Sequence, residues 1–331
     1  MTMAQPGTIN LRRIHVFLLL LASTLCTGSQ AAGFDFFQIS PDGSGAMTRG
    51  AIWYPCASLA GEIRLGPLVL QGTQACPMRG DQLPLVVMSH GSGGSMLAHH
   101  DTAAALADAG FVVAAINHPG DNFQDLGQQG QLSILASRPA DIKRLVDFVL
   151  QEWPEHARID ASKVGMFGFS RGGYTGLVSV GAVPDVALGL PWCKNMPTIA
   201  MCGQVKRGER LTEPLAHDAR IKAAVIVDPV ASVFSHDGLK PVSVPIMLWS
   251  SARGGDGITP QAIDMLRSIM PKPPLFRVAA NATHFGFLAP CSEPMRQQAP
   301  VICTDTPDFD RAAFHKTFNS EVVSFFKSTL P

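Results

Sequence analysis

The sequence predicts an α/β domain with a mostly parallel central sheet and helices on both faces. Three observations favour this class. Short apolar runs alternate with helix-compatible stretches from residue 85 onward. Glycine-rich segments directly follow two of those apolar runs. The chain has 331 residues, 46% hydrophobic and 16% charged, which is enough for one large domain with a well-buried core.

The first 31 residues predict a secretory signal rather than part of the domain. Arg12 and Arg13 precede an apolar run at residues 16–21, and residues 29–31 offer small side chains at the cleavage positions. We therefore expect cleavage near the end of that triplet and export to the periplasm or beyond the cell. The mature chain, residues 32–331, is expected to carry no integral membrane segment. The alternative is an uncleaved N-terminal anchor, for which the apolar run is short.

The elements are predicted in an order that fits this class. Strands at residues 34–40 and 46–54 precede a loop rich in glycine and proline at 55–84. Further strands are predicted at 85–89, 111–116, 163–169, 221–227, 245–250 and 275–280. Helices are predicted at 101–109, 138–153, 174–180, 261–269 and 310–330. Residues 181–220 interrupt the alternation, and we expect them to form a cap or lid over the active site.

Six cysteines follow the signal segment, an even number that suggests disulfides in an exported protein. Their clustering favours three short loops, closed by Cys56–Cys76, Cys193–Cys202 and Cys291–Cys303. The alternative for any pair is two free, buried thiols.

Composition also argues against some partners. The formal net charge is zero and no basic block occurs, so nucleic-acid binding has no electrostatic support. No cysteine or histidine spacing is typical of a metal site. We therefore expect neither a metal nor an organic cofactor.

Residues 164–176 read V-G-M-F-G-F-S-R-G-G-Y-T-G and carry the strongest functional signal. An apolar run meets Ser170, which stands between Gly168 and Gly172. Glycines at these positions leave room for a tight strand-to-helix turn that holds the hydroxyl clear of the backbone. This pattern predicts the nucleophile elbow of a serine hydrolase.

A serine hydroxyl needs a base to accept its proton and an acid to orient that base. His284 is the expected base, because it follows the last strand and completes the chain order serine, acid, histidine. Two candidates for the acid follow strand ends, where sites in such sheets collect. Asp256 is preferred, and Asp228 is the alternative, which could instead simply begin a turn with Pro229.

Two backbone N–H groups are expected to stabilise the oxyanion. One belongs to Arg171, directly after the nucleophile, and the other to Ser92 in the turn H-G-S-G-G. His118, at the end of another strand, is expected to bind substrate. The alternative for His118 is a purely structural role.

Together these segments resemble α/β-hydrolases: S-H-G-S-G-G at 89–94, N-H-P-G at 117–120, G-F-S-R-G-G at 168–173 and H-F-G-F-L at 284–288. The chain is most similar, over roughly residues 45–330, to the exported dienelactone-hydrolase-like group. That group is related to platelet-activating-factor acetylhydrolases and bacterial polyester hydrolases. True dienelactone hydrolases use a cysteine nucleophile, so this chain departs from them at Ser170.

The resemblance implies an α/β-hydrolase fold with Ser170 as nucleophile, His284 as base, and Ser92 and Arg171 as oxyanion donors. Asp256 matches the polyester-hydrolase pattern Asp-x-Ile/Val-x-Pro, whereas the acetylhydrolases resemble a placement like that of Asp228.

The function expected is an exported serine esterase, lipase-like in chemistry, that cleaves small or lipid-like carboxylic esters through an acyl-enzyme. A serine peptidase or amidase is the alternative enzyme. A catalytically inactive hydrolase fold that serves as a binding protein is the alternative without chemistry.

Overall fold

The computed structural model describes residues 1–4, 32–43, 45–59, 61–194 and 198–331. Apart from its first four residues, the predicted signal segment lies outside the described residues. Within these ranges, no helix combines the length and the hydropathy that crossing a bilayer would require.

Ten strands of the described residues form one sheet. In chain order they are β1 (Ala32–Ile39), β2 (Thr48–Pro55), β3 (Gly61–Leu65), β4 (Leu68–Gln74), β5 (Leu83–Ser89), β6 (Val112–Ile116), β7 (Ile159–Phe169), β8 (Ile221–Val227), β9 (Ile246–Ser251) and β10 (Leu275–Ala279). Their spatial order is β10-β9-β8-β7-β5-β6-β2-β1-β4-β3. The six strands from β10 to β6 run parallel. The predicted mostly parallel sheet is therefore confirmed.

Helices pack on both faces of this sheet, as predicted. They are α1 (His100–Asp108), α2 (Ile134–Gln151), α3 (Arg171–Ser179), α4 (Ala200–Lys206), α5 (His236–Leu239), α6 (Pro260–Ile269), α7 (Glu293–Gln298), α8 (Pro300–Cys303) and α9 (Arg311–Thr329). Leu145 of α2, Leu177 of α3 and Ile263 of α6 share one buried core with the sheet. Leu106 of α1 and Phe318 of α9 lie in a second buried core. Successive strand residues point to opposite faces, so both faces of the parallel strands need this cover.

The loop predicted over residues 55–84 is wrong in its middle, where β3 and β4 form an antiparallel hairpin. Ile63 and Leu70 are buried there, while Glu62 beside them is exposed. Gly66 has a φ of 59°, which a residue without a side chain adopts at little cost. The apolar and polar residues that alternate around this turn were the sequence signal from which the hairpin could have been predicted.

Three disulfides join Cys56 to Cys76, Cys193 to Cys202 and Cys291 to Cys303. The second lies in the segment after α3, where the chain forms short 3-10 turns at Val186–Gly189 and Trp192–Lys194 before α4. The third joins the segment before α7 to the end of α8.

Candidate active site

Ser170 occupies the turn between β7 and α3 in a conformation rare for a residue with a side chain, with φ 57° and ψ −119°. Its N–H donates to the carbonyl of Val227 on the neighbouring strand, at 2.9 Å. The close approach of three backbone segments explains the spacing of the glycines. A Cβ on Gly168 would collide with the carbonyl of Gly172, and a Cβ on Gly172 would collide with that of Ser89.

The structure brings His284 together with Asp228, the alternative acid. Nδ1 of His284 lies 2.8 Å from Oδ2 of Asp228, and both side chains are buried. Ser251, at the end of β9, donates to the same carboxylate from its backbone N–H at 2.9 Å and from its hydroxyl at 2.6 Å. These three donors fix the carboxylate and orient the imidazole. Because a carboxylate only accepts hydrogen bonds, the proton lies on Nδ1 of His284, and Nε2 of the neutral ring is an acceptor.

Asp256, the preferred acid, does not meet His284 in this structure. Its side chain is exposed, and it makes no hydrogen bond or ion pair among the described residues. The backbone gives the physical reason. The turn of Asp256 does contact His284, whose N–H donates to the carbonyl of Gly254 at 2.8 Å, but the Asp256 side chain is exposed and lines the cleft. Asp228 instead directly follows β8, the strand that adjoins β7.

The imidazole of His284 is stacked on Phe169, the residue before the serine. The ring centroids are 4.6 Å apart and the planes make an angle of 25°. Nε2 of His284 is buried and has no hydrogen-bond partner among the described residues. This nitrogen is therefore free to act as an acceptor next to the turn of Ser170.

Ser92 belongs to a turn that a buried carboxylate holds in place. Oδ1 of Asp121 accepts from the N–H of Gly93 at 2.9 Å and from the hydroxyl of Ser92 at 3.2 Å. Directly after Ser170, Arg171 is the first residue of α3, so its N–H is among those that have no partner within the helix. The helix dipole adds positive potential at the same point.

Arg138 supports the turn that contains Ser92, and this role was not predicted from the sequence. Its fully buried guanidinium donates to Asp121 at 2.9 Å, to the hydroxyl of Ser89 at 3.3 Å and to the carbonyl of His90. A signal was present, because Arg138 shares the apolar face of α2 with Ile142 and Leu145. An arginine on a buried face requires an internal acceptor.

His118, the expected substrate-binding residue, is fully buried. Nδ1 lies 3.0 Å from Oδ2 of Asp141 and Nε2 lies 2.9 Å from the hydroxyl of Ser89. Burial, helped by the charge of Arg138, holds the pKa of His118 well below its usual value. Burial also raises the pKa of Asp141 to about 7. The neutral ring of His118 therefore supports Ser89 at the end of β5, and both of its nitrogens are engaged within the protein.

Replacing Asp121 with asparagine is expected to lower the free energy of unfolding by about 3–5 kcal/mol. The change leaves the buried guanidinium of Arg138 without its carboxylate. Denaturant titration followed by fluorescence would measure it. The matched control is Asp264→Asn, which removes the acid of an exposed pair with Arg267 and should change stability much less. Similar small effects of the two variants would contradict a structural role for the buried pair.

Two clefts meet at the elbow. One, with a volume of about 570 Å³, is lined by Ser170 and by mostly apolar side chains, including Trp192, Val205 and Val233. A second, of about 1140 Å³, runs along the other side of the Gly91–Ala98 turn and is also largely apolar. Ser92 and Phe285 line both clefts. Among the described residues no cluster of three or more histidine, cysteine or acidic side chains could hold a metal ion.

Comparisons with known proteins agree with this architecture. A family model described as serine aminopeptidase, S33, matches residues 80–222, a span that includes Ser92 and Ser170 and ends before Asp228 and His284. A ferulic acid esterase from Streptomyces cinnamoneus is similar in structure, with a TM-score of 0.60 and 16% identity over 93% of this chain and 92% of that one.

A second similar structure is a PEG-bound cold-adapted esterase from an Arctic intertidal metagenomic library. Its TM-score is 0.45 at 16% identity, over 81% of this chain and 91% of that one. No curated protein sequence matches the chain. The family model and the first of these structures, taken with the parallel sheet and its flanking helices, show that the chain has the α/β-hydrolase fold.

Proposed function

We propose that this protein is a serine hydrolase of carboxylic esters, with Ser170 as nucleophile, His284 as base and Asp228 as the acid that orients it. The observation that carries this proposal is the buried Nδ1–Oδ2 hydrogen bond between His284 and Asp228 beside the strained serine. This arrangement combines a nucleophile, a base and an orienting acid. Asp228 replaces Asp256 here as the proposed acid.

The reaction follows from these roles. Oγ of Ser170 attacks the ester carbonyl carbon while Nε2 of His284 takes the hydroxyl proton. The oxyanion receives hydrogen bonds from the N–H groups of Ser92 and Arg171. The tetrahedral species collapses, the bond to the alcohol oxygen breaks, and the imidazolium returns its proton to that oxygen. Water then attacks the acyl-enzyme with the help of the same base and releases the acid and the serine.

The clefts support an ester with an apolar body. Apolar side chains such as Trp192 and Val233 dominate the smaller cleft, so the hydrophobic effect favours an acyl or alcohol group there. Residues 181–220 would act as a cap, because Cys193, Met201 and Val205 of this segment line the cleft that Ser170 also lines. The ferulic acid esterase likeness is consistent with ester chemistry.

The family model favours a second candidate, an aminopeptidase. One feature of the site is compatible with it: the exposed carboxylate of Asp256 lines the cleft of Ser170 and could pair with a substrate ammonium group. Amide hydrolysis would use the same triad.

Turnover of p-nitrophenyl acetate and butyrate, beside p-nitroanilides of alanine and proline, separates the two activities. We expect ester turnover and covalent labelling of Ser170 by a fluorophosphonate, both abolished in Ser170→Ala. Faster cleavage of the anilides would favour the peptidase. A wild-type protein inert to the esters, the anilides and the probe would favour the binding protein.

Export remains part of the proposal, as does membership of the exported dienelactone-hydrolase-like group. The three disulfides support an oxidising compartment. Detection of a mature chain that begins near residue 32 in the periplasm or the medium would test it.

A further inference from the structure

The guanidinium of Arg171 is a buried cation that has an ion-pair partner but no hydrogen-bond acceptor among the described residues. The residue is 8% exposed, and its side chain makes no hydrogen bond within the part of the chain that the structure describes. Oδ2 of Asp121 is its nearest acid, at 3.6 Å from the buried nitrogen Nη1. Arg138, which is also buried, donates to that same oxygen at 2.9 Å. Two guanidinium groups therefore share one buried carboxylate.

The position of Arg171 relates this cation to the reaction. It directly follows the nucleophile, and it lines the same cleft as Ser170. In that cleft the side chains are mostly apolar, and the charged ones are Arg171 and Asp256. A cleft with an apolar wall and few polar groups uses those groups to orient its ligand. A planar guanidinium presents several N–H donors in a fixed fork, which suits it to oxygen acceptors.

We propose that the side chain of Arg171 binds a second oxygen acceptor of the substrate, a carbonyl or carboxylate oxygen that lies beyond the scissile ester. This inference rests on the proposed function and narrows the substrate class. The ester would carry an apolar body and one such oxygen on the arm that enters the cleft of Ser170. The backbone N–H of Arg171 donates to the oxyanion, while its side chain donates to the second oxygen of the substrate.

Asp256 adds a distinction between the two kinds of acceptor. It is exposed, lines the same cleft, and its negative charge acts on Arg171. Asp121, Asp256, Arg138 and Arg171 together carry no net charge. A neutral carbonyl therefore gains the hydrogen bond without repulsion, whereas a carboxylate is also repelled by Asp256.

The test uses esters that differ only at this acceptor. The p-nitrophenyl esters of pentanoic acid, of monomethyl glutarate and of glutaric acid present a methyl end, a carbonyl and a carboxylate on arms of matched length. A mirrored set, the acetate esters of pentanol, methyl 5-hydroxypentanoate and 5-hydroxypentanoate, varies the alcohol arm instead. We expect one of the two sets to show at least about tenfold higher kcat/KM when the acceptor is present.

Arg171→Met keeps the length of the side chain and the backbone N–H but removes the donors. It should bring the ratio of kcat/KM between acceptor-bearing and methyl-ended esters close to one. Arg171→Lys keeps a charge without the fork and should retain only part of the preference. Asp256→Asn removes the exposed negative charge instead. Relative to wild type, it should raise the ratio of kcat/KM for the ester that ends in a carboxylate to kcat/KM for the ester that ends in a methyl ester several-fold.

The outcomes separate this inference from the proposed function. Active wild type with equal rates on all members of both sets, or a preference that survives Arg171→Met, would overturn the role of Arg171. Inertness to every ester would overturn the esterase instead. In that case, calorimetric titration of Ser170→Ala with dimethyl glutarate and with methyl pentanoate still measures binding of the second carbonyl, and equal weak affinities would refute the site.

Discussion

Asp228→Asn is expected to lower kcat on p-nitrophenyl acetate by about four orders of magnitude. The carboxylate accepts from Nδ1 of His284 and from two donors of Ser251. An asparagine that keeps its oxygen on the Ser251 N–H would turn its amide N–H₂ toward the ring and toward the Ser251 hydroxyl. Nδ1 would then have to act as the acceptor, and Nε2 would carry the proton and could no longer receive one from the serine.

The matched variant is Asp256→Asn, which we expect to change kcat less than tenfold on this small ester. Asp256 is exposed and does not contact the imidazole. Circular dichroism of both variants checks that the fold is kept. The reverse ranking would restore Asp256 as the acid, and equal mild effects would exclude both.

His284→Ala is expected to lower kcat by at least three orders of magnitude. It removes the acceptor of the serine proton and the donor to the leaving alcohol, while Phe169 and the two oxyanion N–H groups stay. The residual rate would come from binding and from the oxyanion donors. Steady-state turnover with p-nitrophenyl acetate, together with the rate of fluorophosphonate labelling, would measure it.

Non-additivity sharpens this second prediction. Groups that act as one unit lose most of their effect when the first is removed. The double variant Ser170→Ala with His284→Ala should therefore be about as slow as Ser170→Ala alone. A further loss of a hundredfold or more in the double variant would mean that His284 acts on a different step, and near-normal turnover of His284→Ala would refute the base.

The elbow and most strands could be predicted from the sequence because their signals are local. Glycines around Ser170 and unbroken apolar runs reflect packing within a few residues of each other. The identity of the acid is a different matter, since it depends on which strands are neighbours in space. β8 adjoins β7, and Val230, just past its end, donates to the carbonyl of Ser170 at 3.2 Å. This contact keeps Asp228 near the serine, and chain order alone does not reveal it.

The buried ion pair that supports the turn of Ser92 was harder to predict for a related reason. Asp121 and Arg138 are separated in sequence and belong to a loop and a helix, and only the folded chain makes them a pair at 2.9 Å. The hairpin of β3 and β4 shows a third kind of difficulty. Its glycine and proline content resembles a loop, while its strands lie at the end of the sheet and each buries one apolar side chain, Ile63 or Leu70.

The covalent links around the two clefts have a consequence for how the specificity of such a protein can change. Cys193 lines one cleft and Cys291 the other, and each bond spans only 9 or 12 positions. Each disulfide ties together the two ends of a short segment beside a cleft. Residues between the paired cysteines can therefore be exchanged while the side chains at the strand ends keep their positions. Under the proposed function, diversification toward new esters would thereby be directed to those two short stretches.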